Sequence, residues 1–260
     1  MISGLKKYCL LAALSASICL PTYTAQAEDL DYHQGGYTFP GEFTLSLALA
    51  SEYSFRGLSY TNEEPAYQGS LDYKHETGFY LGVWASSVDL GTTRDEVSSE
   101  VDFYTGMLFD LGAGVTWDLG ATYYMYPGSS DIRNSYNFYE YRTSLQRDFG
   151  VFDAKAGVHY APNFFGDSGN AVYSYIDANV PIYDDFYGTL HYGYQTIARE
   201  QANFGYPNYG EWSAGVGYDV YGFSFNAFYH DTDLDENTCN DRCNGSVTFS
   251  VGRTFTLWSK

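Results

Sequence analysis

Apolar and polar residues alternate with a period of two along most of the chain. Phe43, Leu45, Leu47 and Leu49 alternate with Thr44, Ser46, Ala48 and Ala50, and Val101, Phe103 and Met107 with Glu100, Asp102 and Tyr104. Val115, Trp117, Leu119 and Ala121 are set against Thr116, Asp118, Gly120 and Thr122 in the same way. Trp212, Ala214, Val216 and Tyr218 follow the pattern, as do Val247, Phe249 and Val251. A period of two sends successive side chains to opposite faces of a strand. No 3.6-residue period is present beyond the first 30 residues, so the chain reads as all-β. Twelve strands are predicted, near 43–55, 66–74, 79–88, 100–109, 115–126, 136–147, 153–161, 171–180, 186–196, 209–220, 223–230 and 246–257.

The connections carry the topology. Short links fall at His75-Glu-Thr-Gly78, Asp110 to Gly114, Asp148-Phe-Gly150, Pro181 to Asp185 and Tyr221-Gly222. Long ones run from Arg56 to Pro65, Asp89 to Ser99, Pro127 to Ser135, Ile197 to Asn208 and Asp231 to Gly245. Strict alternation of short and long predicts a transmembrane antiparallel up-and-down β-barrel with short periplasmic turns and long external loops. A soluble sandwich has no physical reason to sort its loops this way. Aromatics at strand ends (Tyr53, Phe55, Tyr123, Tyr124, Tyr126, Tyr139 and Tyr141) are expected to form girdles at the membrane interfaces. Phe255 or Trp258 is the expected C-terminal anchor.

The first residues add a compartment. Lys6 and Lys7 precede an apolar stretch from Cys9 to Leu20, and Ala25-Gln26-Ala27 forms a small-x-small cleavage site. The expected organisation is a signal peptide over 1–27, a periplasmic segment over 28–42 and the barrel over 43–260. The expected location is the bacterial outer membrane, after Sec-type export and cleavage near Ala27. Cys9 and Cys19 leave with the leader, and Cys239 and Cys243 are expected to pair as a disulfide in an oxidising compartment. A zinc site would need further close ligands, and only His230 is near.

Composition sharpens this reading. Among 260 residues there are 28 Tyr, 27 Gly, 18 Phe and 4 Trp, enough apolar and aromatic surface to exclude disorder. The net charge of −19 becomes −21 when the leader takes away Lys6 and Lys7, and this excludes nucleic acid as a partner. No later segment supplies the roughly 18 consecutive apolar residues of a spanning helix.

At the first hairpin the residues become specific. Ser51-Glu-Tyr-Ser-Phe-Arg-Gly-Leu-Ser59 is followed by Pro65-Ala-Tyr-Gln-Gly69, Asp72-Tyr73 and Gly78-Phe-Tyr-Leu-Gly-Val-Trp-Ala-Ser-Ser-Val88. Residues 51–89 resemble the N-terminal signature of the TorF family of porin-like proteins, a proteobacterial outer-membrane family of otherwise unknown function. The motif positions are Tyr53, Phe55, Arg56, Gly57, Pro65, Gln68, Gly69, Asp72, Tyr73, Gly78, Phe79, Gly82 and Trp84. The resemblance implies an outer-membrane barrel of porin type and brings no catalytic residues with it.

With the apolar face toward lipid, the opposite parity lines the lumen. That places Glu52, Asp72, Glu100, Asp102, Asp118, Glu140, Asp177, Glu211 and Asp219 inside, with Arg142, Lys155, His159 and His191. Nine acids against two permanent bases make a lining that attracts cations, unless the charges neutralise one another or side chains plug the barrel. Arg253 has lipid-facing parity and is expected near an interface. The run from Asp231 to Asn237 follows D-x-D-x-D, but Glu236 and Arg242 stand where a calcium loop needs Gly and Glu, so it reads as a solvated acidic loop. His230 beside Asp231 and Asp233 is the only pairing that suits a rim hydrolase, and no G-x-S-x-G, phosphate loop or CxxC is present. The function expected is a passive channel for small polar solutes or ions, not an enzyme, with no cofactor. The alternative is a non-conducting barrel that displays surface loops. Expected partners are outer-membrane lipid, lipopolysaccharide, the barrel-assembly machinery and small polar solutes. Monomeric and oligomeric barrels share these patterns.

Overall fold

The alternating segments pair edge to edge into one closed antiparallel barrel of twelve strands. The computed structural model describes residues 40–90, 97–129, 136–198 and 207–259. The leader, its cleavage site at Ala27, Cys9, Cys19 and most of the 28–42 segment lie outside the described residues. The strands are β1 (Glu42–Ala50), β4 (Ala66–Lys74), β5 (Phe79–Ser87), β6 (Ser99–Gly112), β7 (Val115–Met125), β8 (Phe138–Asp148) and β9 (Asp153–Ala161). They continue with β10 (Ala171–Tyr183), β11 (Phe186–Ile197), β12 (Tyr209–Val220), β13 (Phe223–Thr232) and β14 (Ser246–Ser259). Two further strands, β2 (Ser54–Phe55) and β3 (Leu58–Ser59), form a separate small hairpin, and a single helical turn, α1, spans Glu236–Cys239.

Each barrel strand pairs with its sequence neighbours, and β1 closes the ring on β14 from Glu42↔Ser259 to Ala50↔Ser250. Closure leaves no edge strand and pairs the backbone groups within the wall, which a lipid environment requires. At the short-turn end the links are tight. Tyr221 and Gly222 both have positive φ, 51° and 79°, the two-residue geometry that suits the right-handed twist of a hairpin. Pro181, which has no N–H to donate, sits where the β10–β11 register shifts.

The outer face is apolar as parity requires, with Leu47, Leu49, Phe103, Leu119, Val216 and Phe249 all exposed. Aromatics ring both ends of it. Tyr67, Tyr139, Tyr160, Tyr194 and Trp212 lie toward the long-loop end, and Phe149, Tyr183, Phe186 and Trp258 toward the short-turn end. Arg253 pairs with Phe223, the first residue after a turn, and its guanidinium lies over the Phe223 and Phe255 rings at 4.9 and 5.0 Å. It is therefore at the rim of the apolar band.

One expectation needs correction. The first strand ends at Ala50, not at 55. Residues 51–65, the first long connection (L1), turn into the barrel, and most of L1 from Glu52 to Thr61 is buried. Tyr53 and Phe55 are consequently not girdle residues, and neither are Tyr124 and Tyr126. All four are buried in an apolar cluster with Leu58, Tyr60 and Phe138 inside the loop-end mouth. Parity explains the split of neighbours: Tyr123 packs at a tilt on the outward-facing Tyr139 at 4.4 Å, whereas Tyr124 faces inward and stacks on Phe138 at 4.3 Å.

Candidate functional site: the lumen and its first loop

L1 leaves the wall at β1 and reaches the far side. Arg56, at the tip of the β2–β3 hairpin, donates from Nη1 to Gln195 Oε1 (2.7 Å) on β11 and from Nη2 to both Glu140 oxygens (2.8 and 2.7 Å) on β8. His159 Nδ1 on β9 lies 3.3 Å from Nη2 and 3.0 Å from Glu140 Oε2. The guanidinium also covers the Tyr173 ring of β10 at 4.1 Å. In the ring order, β8 to β11 stand opposite β1, so the hairpin spans the full lumen. Arg56 is 1 % exposed. Burial acts to depress its pKa, but the Glu140 carboxylate more than reverses this and raises it.

The next residue, Gly57, is what lets the tip fit. Its φ is +77°, and a Cβ there would approach Glu211 Cβ to 2.9 Å and collide with Thr232. On the near side, Glu52 Oε1 meets His230 Nε2 at 2.7 Å and accepts from Thr248 Oγ1 at 2.9 Å and from Ser246 Oγ. Burial works to raise the Glu52 carboxyl, but these hydrogen bonds outweigh it and the pKa falls from 4.5 to about 2. Because the folded-state value is depressed, this anchor contributes fully above pH 4.5 and is lost as pH falls through about 2. Trp84 packs against Tyr53 at 5.3 Å. Trp84 fluorescence is therefore expected to hold constant from pH 7 to 5 and change only in that acid window. A change already complete at pH 5 would contradict the assignment.

The remaining residues expected inside are arranged by depth. Along β6, Glu100, Asp102 and Tyr104 are buried, Gly106 and Leu108 half-buried and Asp110 exposed. The same gradient runs along β4 from Ala66 and Gln68 to Asp72 and Lys74, and along β10 from Tyr173 to Asp177 and Pro181. Along these three strands the lumen is packed at the loop end beneath L1 and opens to solvent toward the turns, whereas Lys155 on β9, Asp219 on β12 and Ser224 on β13 stay buried near the turn end.

Most lumen charges are held in short networks. Arg142 Nη2 donates to the Tyr80 hydroxyl (2.8 Å), which donates to Asp118 Oδ1 (2.6 Å), and Arg142 Nη1 donates to Thr122 (2.8 Å). His191 stands 2.5 Å from both Asp177 and Glu211, and Tyr173 donates to Glu211. Tyr104 donates to Asp72. Lys155 is buried opposite Asp177 with its ammonium 5.7 Å from the Tyr175 ring. Asp219 is buried near the turn end. Glu52 alone among the expected lining residues comes from L1 and not from a strand. The central cation, Arg56, is identified in the sequence only as a family-motif residue.

A second pattern accounts for the tyrosines. Tyr104 lies over its cross-strand partner Gly82, Tyr80 over Gly106, Tyr175 over Gly157 and Tyr187 over Gly217. Ring-on-glycine pairing covers backbone that has no side chain and keeps the phenol against the wall, and the hydroxyls of Tyr104, Tyr80 and Tyr187 donate to Asp72, Asp118 and Asn226.

Two alternatives considered from sequence do not assemble. His230 points into the lumen and meets Glu52 of L1, so it does not pair with Asp231 or Asp233 at the rim. Asp231 Oδ1 accepts from the Thr232 amide, Asp233 Oδ1 from the Gly210 amide, and Asp235 caps α1, so these acids of the D-x-D-x-D run serve backbone groups. Among the described residues, no three His, Cys, Asp or Glu converge on a metal-binding geometry. Cys239 and Cys243 form the disulfide, with Cα atoms 5.8 Å apart.

Comparison with solved structures finds the same barrel elsewhere. The KdgM porin matches with a TM-score of 0.54 at 8 % identity, over 83 % of this chain and 99 % of that one. The NanC porin matches with a TM-score of 0.55 at 11 % identity, over 82 % and 100 %. At these identities the likeness establishes the fold. No curated protein matches the sequence. A family described as bacterial proteins of unknown function, Gcw_chp, matches residues 34–255. That match covers the barrel from β1 into β14, and the chain belongs to the Gcw_chp family.

Proposed function

We propose that the protein is an outer-membrane porin-like channel for passive diffusion of small polar solutes or ions, preferring cations, with L1 as its constriction. The observation that carries this reading is a closed barrel that is apolar outside and charged inside. The turn end faces the periplasm and the loop end the exterior, residues 1–27 are removed on export, and 28–42 remain in the periplasm. Lipid contacts the apolar band, lipopolysaccharide meets the loop end, and the barrel-assembly machinery inserts the chain. The resemblance of residues 51–89 to the TorF family supports the same assignment.

Cation preference follows from the lining. Arg56 raises the permanent bases inside to three with Arg142 and Lys155, against the nine acids named above, so the lumen remains net negative. The refolded protein in a planar bilayer under a potassium chloride gradient is expected to reverse at a potential of the sign set by potassium. The sign set by chloride overturns the preference.

A second reading is favoured by L1 itself. A hairpin that spans the lumen and is latched by a buried ion pair suits a non-conducting barrel whose loops are the functional surface. The two readings separate on whether the native chain passes current.

A further inference from the structure

We propose that the wall beneath L1 holds a hard divalent cation of the calcium class, ligated by Glu100, Asp102 and the Gln68 amide oxygen. Glu100 and Asp102 stand two residues apart on the lumen face of β6, and each is 0 % exposed. The two carboxyls face each other with the Tyr126 hydroxyl beside Glu100, and neither Asp102 oxygen nor Glu100 Oε2 makes a hydrogen bond within 3.5 Å. The basic groups around them are engaged elsewhere. Arg56 and His159 bind Glu140, Arg142 serves Tyr80 and Thr122, His191 bridges Asp177 and Glu211, and His230 binds Glu52.

Buried carboxylates without a counter-charge are strongly unfavourable, so the pair must be neutralised by a proton or by a cation. A third group decides between these. Gln68 lies in the same cross-strand row, Gln68↔Ser86↔Glu100. It is buried, its Nε2 donates to Ser86 Oγ at 3.3 Å, and its Oε1 receives nothing. A proton shared between the acids leaves that amide oxygen unsatisfied, whereas a cation takes up all four oxygens at once. Carboxylate and amide oxygens without nitrogen or sulfur are the donors that hard cations select, and water completes their coordination. Tyr53 of L1 donates to Glu100 Oε1 at 3.3 Å, so the bound cation also fastens the loop to the wall.

The test is thermal unfolding of the refolded full chain, first in chelator and then with millimolar calcium chloride. The wild type is expected to gain about 5 °C or more at saturation. Glu100→Gln with Asp102→Asn is expected to lose that gain, and Gln68→Leu to require severalfold more calcium for the same shift. If the double variant does not fold, Gln68→Leu carries the test alone. A wild-type midpoint indifferent to calcium, or an equal shift in the variants, overturns the site and assigns the two carboxyls a shared proton.

Discussion

Arg56→Ala is expected to release L1 from the lumen and raise the single-channel conductance of the reconstituted barrel. The side chain makes three hydrogen bonds to Glu140 and Gln195 and covers Tyr173, all in a site closed to water. Removing one partner of a buried ion pair leaves the other uncompensated and costs about 3–5 kcal/mol. Here that cost falls on the docked state, because undocking lets Glu140 hydrate. A loss of about 3 kcal/mol multiplies the undocked population by roughly a hundred. The barrel wall keeps its own pairing and should retain its heat-dependent gel mobility. Arg56→Lys should recover little, since a single ammonium cannot reproduce a planar guanidinium that reaches Gln195 from Nη1 and Glu140 from Nη2 at once. If Arg56→Ala folds and its conductance equals that of the native chain, L1 is not the constriction.

The second large effect is expected at Gly157. A Cβ there would lie 2.7 Å from the Tyr175 ring, so Gly157→Val must displace the tyrosine or the strand. Overpacking of this kind costs about 1–3 kcal/mol. The diagnostic is the cycle with Tyr175→Ala. Once the ring is absent, the added valine has room, and the double variant should be more stable than the sum of the single losses by about 1 kcal/mol or more. Additivity, measured by urea unfolding in detergent, would show that the ring and the glycine are neighbours without being a packed unit.

These two sites mark the border of what the sequence makes legible. Parity on a closed sheet has only two outcomes, so alternation alone places Glu140, His159 and Glu211 on the face opposite Leu119 and Val216. Loop sorting then fixes the up-and-down order. Residues 51–65 escape this logic because period two runs on through Ser51 to Phe55 and mimics a longer strand. A signal was nevertheless present. A loop carrying Tyr53, Phe55, Leu58 and Tyr60 has too much apolar surface to stand in water, and an Arg-Gly tip among them calls for a buried acid. The partners Glu140 and Gln195 lie 84 and 139 residues from Arg56. No local pattern reports contacts at such separation. Parity divides the tyrosines between interface girdles and lumen-facing residues such as Tyr104 and Tyr173, but the ring-on-glycine pairs need cross-strand register that composition does not contain.

The position of L1 beside the β1–β14 seam has a consequence for the order of assembly. The loop is among the first barrel residues to be synthesised, yet its near-side contacts come from the last. Glu52 binds Thr248 across 196 residues, the Ser59 amide donates to the Arg242 carbonyl, and Arg242 in turn donates to the carbonyls of Ser59 and Asp89. Arg242 sits inside the small loop tied by the disulfide. Contacts of this span cannot form until the seam has closed and the last hairpin is in place. The hairpin should therefore dock last, and refolding followed at Trp84 should lag the gel-mobility shift of the closed barrel. Coincident kinetics would refute that order. The docked hairpin thus acts as a receipt for a correctly closed ring, and any chain halted before closure would be left with its mouth open.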